Sequence, residues 1–411
     1  MVNPNPSSSV LPEFFSPGRI GPLTLRNRSI RSAAFEGMCP GHKPSEDLLG
    51  YHRSVAAGGI GMTTIAYAAV HRTGLSFDHQ LLLRPEIIKD LRWVTDAIHR
   101  EGAAASIQIG HCGLMAKRSI AGRLPLAPSS GFNLYGVTFP RAMNREQIDE
   151  ILASFGDAVK IAQDSGFDAV EVHAGHGYLI SQFLSSHINK RRDEWGGSFE
   201  NRTRFMKEAM HRVTDAAGSK TAVLVKMNMR DAVKNGMEQD ESLEVARILE
   251  KAGAQALILS GGLVSASPMY VMRGKIPVRI MGSKMTNPFM KLGISFFGEL
   301  LMKPEPFSEM YFLKDAVKFR SVVKIPLVYV GGLVSRENID TVMKEGFEFV
   351  SFARTLIHDP GFINKLKSGE VVKSGCNHSN YCIAVMYSGK MKCYQNEDDL
   401  PEKWRKRLEM V

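Results

Sequence analysis

The chain has 411 residues, of which 44% are hydrophobic, 23% charged and 8% aromatic. This composition is typical of a globular protein and excludes a disordered, collagenous or coiled-coil chain. The 52 Lys and Arg exceed the 42 Asp and Glu by only ten charges, so the sequence predicts neither a nucleic-acid partner nor an anionic membrane surface.

No apolar run reaches the ~18 residues that a membrane-spanning helix needs. The opening residues, MVNPNPSSSVLPEFF, lack the basic start and the apolar stretch of a signal peptide. We therefore expect a soluble, cytoplasmic protein without a membrane partner.

Short apolar runs alternate with amphipathic segments after a Pro- and Ser-rich tail of residues 1–12. Four segments place a glycine between a helix and a buried strand: AAGGIGMTTI, DSGFDAVEV, KAGAQALIL and KEGFEFVSF. Four more runs resemble strands: SIRSAAF, AAASIQI, AVLVKMN and PLVYV. Because eight strands of this kind close a sheet, the pattern predicts an α/β fold, a single (β/α)8 TIM barrel.

The spacing of apolar residues also predicts individual helices. Between Asn144 and Gly166 they recur every three or four positions, and Asn144 with Gln147 forms a capping-box pattern. A second helix begins near Ile87 and ends at Gly102.

Two regions interrupt the repeat. Residues 264–308 form a Met- and Phe-rich insertion after strand six, which we interpret as a lid over an apolar substrate or as a core or dimer contact. We assign residues 13–368 to the barrel and residues 369–411 to a C-terminal extension that contains a cysteine cluster.

Three polar rings are predicted at one end of the barrel. Strand four runs through Val172, which places His173, His176 and Tyr178 just past its carboxyl end, where barrel enzymes carry their chemistry. Two imidazoles can donate hydrogen bonds to a carbonyl oxygen, and a phenol can supply a proton. A zinc half-site and purely structural loop histidines are weaker readings of the same residues.

Other strand ends supply polar and glycine residues on the same face. Gln108 ends strand three, Lys226 lies in strand five, and strand eight ends at Ala353 and Arg354. Gly331 and Gly332 close strand seven, and the loops after strands seven and eight often bind phosphate in barrels. Together they predict a phosphorylated cofactor across the barrel mouth.

One long segment is specific enough to indicate a family. HAGHGYLISQFLSSHINKRRDEWGGSFENRTRF resembles the signature of the old yellow enzyme family, FMN-dependent ene-reductases that include the barrel portion of bacterial 2,4-dienoyl-CoA reductase. Supporting matches occur in LRNRSIRSAAFEG, SIQIGHCG and VYVGGLVSRENIDTVMKEGFEFVSFARTLIHDPGF.

The resemblance implies roles for individual residues. FMN would be bound by Ala33, Ala34 and Tyr67 at the ring, Gln108 and Lys226 at the pyrimidine edge, and Gly331, Gly332, Ala353 and Arg354 at the phosphate. His173 and His176 would clamp the carbonyl oxygen of an enone, hydride would leave flavin N5, and Tyr178 would protonate the α-carbon. NAD(P)H would be the electron donor.

The cysteines depart from the family pattern. Dienoyl-CoA reductase relatives bind an iron-sulfur cluster with four cysteines, whereas this segment has only Cys376, Cys382 and Cys393. A zinc site that adds His378 is chemically sensible, but its spacing matches no common zinc motif. We therefore predict neither a metal centre nor an iron-sulfur cluster and favour a structural remnant.

Other functions remain open on the sequence alone. Related barrels dehydrogenate or demethylate amines, although the paired histidines favour a carbonyl substrate. A flavin-binding protein without turnover is an alternative of another class. A homo-oligomer is compatible with the sequence.

Overall fold

The computed structural model describes residues 13–133, 138–274, 304–386 and 390–396, with residues 277, 278, 292, 293, 296 and 298. The predicted tail of residues 1–12, about half of the insertion and the chain after residue 396 lie outside these residues. Among the helices described, none combines the length and apolar content needed to cross a lipid bilayer.

A closed parallel barrel forms the centre of the described chain. Each strand pairs with its neighbours in chain order, and the eighth strand pairs with the first. The strands are β1 (Ser29–Arg31), β2 (Met62–Ala69), β3 (Ala104–Gly110), β4 (Ala169–Ala174), β5 (Ala222–Asn228), β6 (Ala256–Ser260), β7 (Leu327–Val330) and β8 (Phe349–Phe352). The predicted (β/α)8 barrel is confirmed.

One helix after each strand covers the barrel, and shorter helices lie in the connecting loops and the C-terminal extension. The covering helices are α1 (Glu46–Ala57), α2 (Ile88–Arg100), α3 (Arg145–Asp164), α4 (Phe199–Ala217), α5 (Gln239–Lys251), α6 (Leu313–Ala316), α7 (Arg336–Lys344) and α8 (Phe362–Ser368). The strands are buried nearly throughout, as expected for a parallel sheet covered by helices.

The predicted start of α3 is confirmed in atomic detail. The Asn144 side chain accepts a hydrogen bond from the Gln147 amide at 2.9 Å, and the Gln147 side chain accepts one from the Asn144 amide at 3.1 Å. Two amides at the start of the helix are thereby satisfied, which fixes where the helix begins.

A short hairpin closes the end of the barrel at which the strands begin. Its strands, Gly18–Ile20 and Leu23–Leu25, pair antiparallel. Ile20 and Leu25 pack in one buried cluster with residues from the early parts of the strands, such as Ala169 and Ala222. The sequence analysis did not predict this hairpin. It leaves the carboxyl ends of the strands as the open face.

Some predicted strand ends need correction. His173 was expected just past β4, but β4 extends to Ala174 because His173 pairs in register with Lys226 on β5. Likewise, β3 continues two residues beyond Gln108, to Gly110. The run SIRSAAF was predicted as a strand throughout, but β1 ends at Arg31.

Candidate active site

Four rings meet around the carboxyl end of β4. The ring centroid of His173 lies 4.2 Å from that of Tyr178 and 5.1 Å from that of His176. Tyr67, from β2, lies 4.6 Å from Tyr178. The structure therefore brings together the three residues predicted to act on the substrate, with a fourth residue predicted to line the cofactor.

Backbone and side-chain contacts fix both imidazoles. His176 has a φ of 59°, and its amide donates to Oδ1 of Asn228 at 2.8 Å. Its Nε2 lies 2.7 Å from the Ser260 hydroxyl. Nδ1 of His173 accepts a hydrogen bond from the Gly175 amide at 3.3 Å, so a neutral His173 carries its proton on Nε2. Asn228 and Ser260, which were not predicted from the sequence, hold the backbone and the ring of His176.

Burial keeps the two imidazoles uncharged. Loss of water and the nearby charge of Lys226 lower the pKa of His176 to about 3. Burial, His176 and Lys226 together lower the pKa of His173 well below its usual value. Both rings are therefore neutral near pH 7, and each can donate one hydrogen bond without acting as an acid.

A buried ion pair joins the neighbouring strands. The Lys226 ammonium lies 2.7 Å from Oε1 of Glu171, and the Gln108 amide donates to the same oxygen at 2.6 Å. Lys226 also reaches the Ser32 hydroxyl at 3.5 Å. Glu171 therefore connects the predicted residues Gln108 and Lys226. Glu171 was not predicted from the sequence, although a carboxylate within a mostly apolar strand could have indicated it.

A second buried charge network shapes the segment that contains Ala33 and Ala34. The Arg31 guanidinium lies 2.6 Å from Glu36 and donates to the Ala34 carbonyl at 2.9 Å. Glu36 in turn accepts from the Ala66 amide at 3.0 Å. These contacts hold the segment after β1 against β2, next to Tyr67. The sequence analysis did not identify Arg31 or Glu36.

Two glycines follow β7 where a side chain would not fit. Gly331 and Gly332 have φ values of 127° and 69°. A Cβ at Gly331 would lie 2.8 Å from the Phe312 ring, and one at Gly332 would lie 2.7 Å from the Met310 backbone nitrogen. The close packing and the positive φ both require glycine at this strand end.

The predicted residues after β8 lie at the adjacent strand end. Ala353 precedes the short helix Arg354–His358. Arg354 donates to Oδ1 of Asn380 at 2.6 Å and to the Arg273 carbonyl at 3.4 Å. Arg354 thus connects the C-terminal extension to the segment after β6.

The cysteine cluster lies beside this arginine. Cys376, Cys382 and Cys393 line one small cavity with Arg354. Burial raises the pKa of Cys382 to about 12, and Sγ of Cys393 lies 3.3 Å from Nδ1 of His358. Within the described ranges, no three His, Cys, Asp or Glu side chains are grouped so that they could hold a metal ion.

Comparison with known proteins identifies relatives along most of the chain. The family model described as NADH:flavin oxidoreductase / NADH oxidase matches residues 13–293. The chain is 39% identical to a 4,4'-dithiodibutanoate disulfide reductase of Rhodococcus erythropolis, over 92% of this chain and 94% of that protein. It is 30% identical to an NADH oxidase of Thermoanaerobacter brockii over 94% of this chain, but it spans only 56% of that longer protein.

Solved structures show the same fold at lower sequence identity. A 2-naphthoyl-CoA reductase complex superposes with a TM-score of 0.80 at 22% identity, over 92% of this chain and 56% of that one. An old yellow enzyme homologue from Zymomonas mobilis gives a TM-score of 0.70 at 20% identity, over 95% and 99% of the two chains.

Proposed function

Because the chain belongs to the NADH:flavin oxidoreductase / NADH oxidase family, which includes the old yellow enzymes, and is an NAD(P)H:flavin oxidoreductase, we propose that it reduces the C=C bond of an α,β-unsaturated carbonyl compound. One observation carries the proposal. The ring centroids of Tyr178 and His176 lie 4.2 and 5.1 Å from that of His173, so the three rings form one cluster. That arrangement can polarise a carbonyl oxygen and protonate the neighbouring carbon.

The residues at the mouth suit FMN. Oε2 of Glu171 is buried and has no hydrogen-bond partner among the described residues, so it can accept from an N–H group. Lys226 supplies a buried cation for the pyrimidine edge. Gly331 and Gly332 follow β7, and Arg354 follows the paired strand β8, so these neighbouring strand ends would hold the phosphate. When bound there, FMN supplies the hydride that the reduction requires.

The protein's own residues bind and protonate the substrate in this proposal. Nε2–H of His173 donates to the carbonyl oxygen, because its Nδ1 is already occupied by the Gly175 amide. His176 donates through Nδ1, with its Nε2 accepting from the Ser260 hydroxyl. Polarisation of the carbonyl makes the β-carbon electrophilic, and the Tyr178 hydroxyl then delivers a proton to the α-carbon.

A second candidate substrate is a linear disulfide. The relative that is 39% identical over nearly its whole length is named a disulfide reductase. The balanced reaction converts a disulfide, NAD(P)H and a proton into two thiols and NAD(P)+. In this case the donors at His173 and Tyr178 would protonate the leaving thiolate. The named relatives are all enzymes, which argues against a flavin-binding protein without turnover.

Single-turnover kinetics separate these substrates. The FMN-loaded protein is reduced anaerobically with NADPH or NADH, then mixed with cyclic enones, open-chain enones or a linear aliphatic disulfide while flavin absorbance is followed. We expect at least one enone to reoxidise the flavin faster than the disulfide does, with the saturated product formed in equal amount. If only the disulfide reoxidises the flavin, the proposal of enone reduction is wrong and disulfide reduction is supported.

A further inference from the structure

An open cleft of about 550 Å3 lies on the rim of the barrel mouth. Two chain segments form it, one after β3 and one after β4. Its polar lining comprises Ser129, Ser130, Lys190, Arg191, Arg192 and Asp193. None of these residues belongs to the site described above.

The cleft carries a net positive charge that its own acid does not cancel. Asp193 pairs with Arg191 at 2.6 Å, and Arg191 also donates to the carbonyls of Pro128 and Met143 at 2.9 and 2.8 Å. Arg191, held in place by Asp193, therefore joins the two segments. Lys190 and Arg192 are exposed cations. The Lys190 ammonium donates one hydrogen bond to the Ser186 carbonyl at 2.7 Å and keeps two hydrogens for a ligand, and in the described part of the chain Arg192 has no side-chain hydrogen bond or ion pair.

The hydroxyls of the cleft are oriented as donors. Oγ of Ser129 accepts the Lys190 amide at 2.8 Å, and Oγ of Ser130 accepts the Ala142 amide at 2.9 Å. Each oxygen keeps its own hydrogen for another partner. The cleft thus offers hydroxyl, ammonium and guanidinium donors, while its carboxylate is already paired. Such a lining suits an anion with several oxygens, such as a phosphate ester.

The cleft borders the rings of the proposed active site. Ala127 and Ile188 pack in one apolar cluster with Tyr67 and Tyr178. The cleft begins one residue after Ala127, at Pro128, and two residues after Ile188, at Lys190. A ligand that reacts beside Tyr178 can therefore extend over this rim.

An exposed aromatic pair stands beside the serines. Phe132 and Phe139 are 55% and 66% exposed, and their ring centroids are 5.3 Å apart. The Gly131 amide donates to the Pro140 carbonyl, which places the two rings close to Ser130. Exposed aromatic rings next to cations are a surface on which a nucleobase can stack.

We propose that this cleft binds the phosphorylated adenosine part of a nucleotide whose reactive end lies at the barrel mouth. Lys190, Arg192 and the two serine hydroxyls bind the phosphate, and Phe132 with Phe139 contacts the adenine. The proposal rests on the proposed use of the mouth by NAD(P)H or by a substrate. The same chemistry is present in NADPH and in a coenzyme A thioester, which differ in the position of the ribose phosphate.

Binding of nucleotide fragments tests the site without any turnover. The FMN-loaded protein is titrated calorimetrically with 2',5'-ADP, adenosine 3',5'-bisphosphate and 5'-AMP. We expect at least one bisphosphate to bind more tightly than 5'-AMP and to lose about tenfold or more in affinity in the double variant Lys190→Ser/Arg192→Ser. Tightest binding of 2',5'-ADP would indicate NADPH, and tightest binding of the 3',5'-isomer would indicate a thioester.

A matched double variant controls for net charge. Lys344→Ser/Lys367→Ser removes two exposed cations near the ends of α7 and α8 and should leave fragment affinity within twofold of the unmodified protein. If neither bisphosphate binds, or if both double variants lower affinity equally, the proposal is wrong. These results do not depend on enone or disulfide turnover, so they are distinguishable from a failure of the proposed function.

Discussion

The ammonium group of Lys226 on β5 lies 2.7 Å from the carboxylate of Glu171 on β4, and both side chains are buried in the barrel mouth. Each charge is out of water, so each depends on the other for stabilisation. Burial and, to a smaller extent, the charge of Lys226 lower the pKa of both His173 and His176, so both rings stay neutral.

Glu171→Gln should therefore leave a buried cation without its counter-charge. We expect the free energy of unfolding to fall by about 3 kcal/mol or more. With FMN bound beside Lys226, the two-electron potential of the flavin should rise by about 30 mV or more, because the uncompensated cation favours reduced, anionic flavin. Urea unfolding and a redox titration measure the two effects.

An exposed ion pair provides the control. Asp149→Asn breaks the Arg145–Asp149 pair on α3, whose side chains are 61% and 53% exposed. We expect a loss below about 1 kcal/mol and an unchanged flavin potential. Equal losses in the two variants would contradict a special role for the buried pair.

Tyr178→Phe tests the proposed proton donor. Removal of the hydroxyl should leave flavin reduction by NAD(P)H within twofold, because that half-reaction needs no proton from Tyr178. Reoxidation by an enone should slow by about 100-fold or more, the usual contribution of a positioned general acid. Anaerobic stopped-flow measurements separate the two steps, and reoxidation at the original rate would exclude Tyr178 as the donor.

Local patterns accounted for most of the fold. The start of α3 at Asn144 was predictable because a capping box and apolar spacing are both properties of neighbouring residues. The short hairpin at Gly18–Ile20 was not predicted, because its stability depends on packing against strands distant in sequence. About half of the insertion of residues 264–308 lies outside the described chain, so the lid remains a prediction.

The residues of the candidate site also include some that the sequence could predict and some that it could not. His173, His176 and Tyr178 were predictable because they lie within six residues of one another at the end of one strand. Glu171 was missed because its partners Lys226 and Gln108 lie on other strands. Asn228 was missed because its partner His176 lies in the loop after a different strand. Only the register of β4 against β5 brings His173 beside Lys226. Sequence spacing indicates which residues share a strand end, but not which buried groups pair across strands.

Asn228→Ala tests whether the backbone of His176 must be held. Oδ1 of Asn228 accepts the His176 amide, whose residue has a positive φ of 59°. Loss of this acceptor should destabilise the fold by about 1–3 kcal/mol. Because the His176 ring would then be less well positioned, KM for the enone should rise about tenfold, while flavin reduction by NAD(P)H is unchanged.

A second buried asparagine provides the matched control for Asn228. Asn27 lies near the opposite end of the barrel, where its Nδ2 donates to the Gly59 carbonyl at 2.8 Å. Asn27→Ala should lower stability to a similar extent without a change in KM. If KM rises in both variants, the change in KM comes from general loosening of the barrel and not from the position of His176.

The buried His111 imidazole should make the free energy of unfolding depend on pH. Its ring is buried, Nδ1 accepts the Gly113 amide at 3.0 Å, and Nε2 lies 2.9 Å from the Thr73 hydroxyl. Burial lowers the pKa of this imidazole from 6.5 to about 3. The unfolded chain therefore binds a proton below pH 6.5 that the folded protein excludes until about pH 3. The stabilisation is complete above the unfolded pKa and is lost as the pH falls.

His111→Gln should flatten this dependence. Below pH 6, the stability of the unmodified protein should decrease by about 1.4 kcal/mol per pH unit more steeply than that of the variant, which lacks the titrating group. Urea unfolding of the flavin-free proteins at pH 7.5, 6.0 and 5.0 measures the difference. His211→Gln, on an exposed face of α4, is the control and should retain the steep dependence. Parallel pH profiles for His111→Gln and the unmodified protein would show that the folded protein accommodates a charged His111.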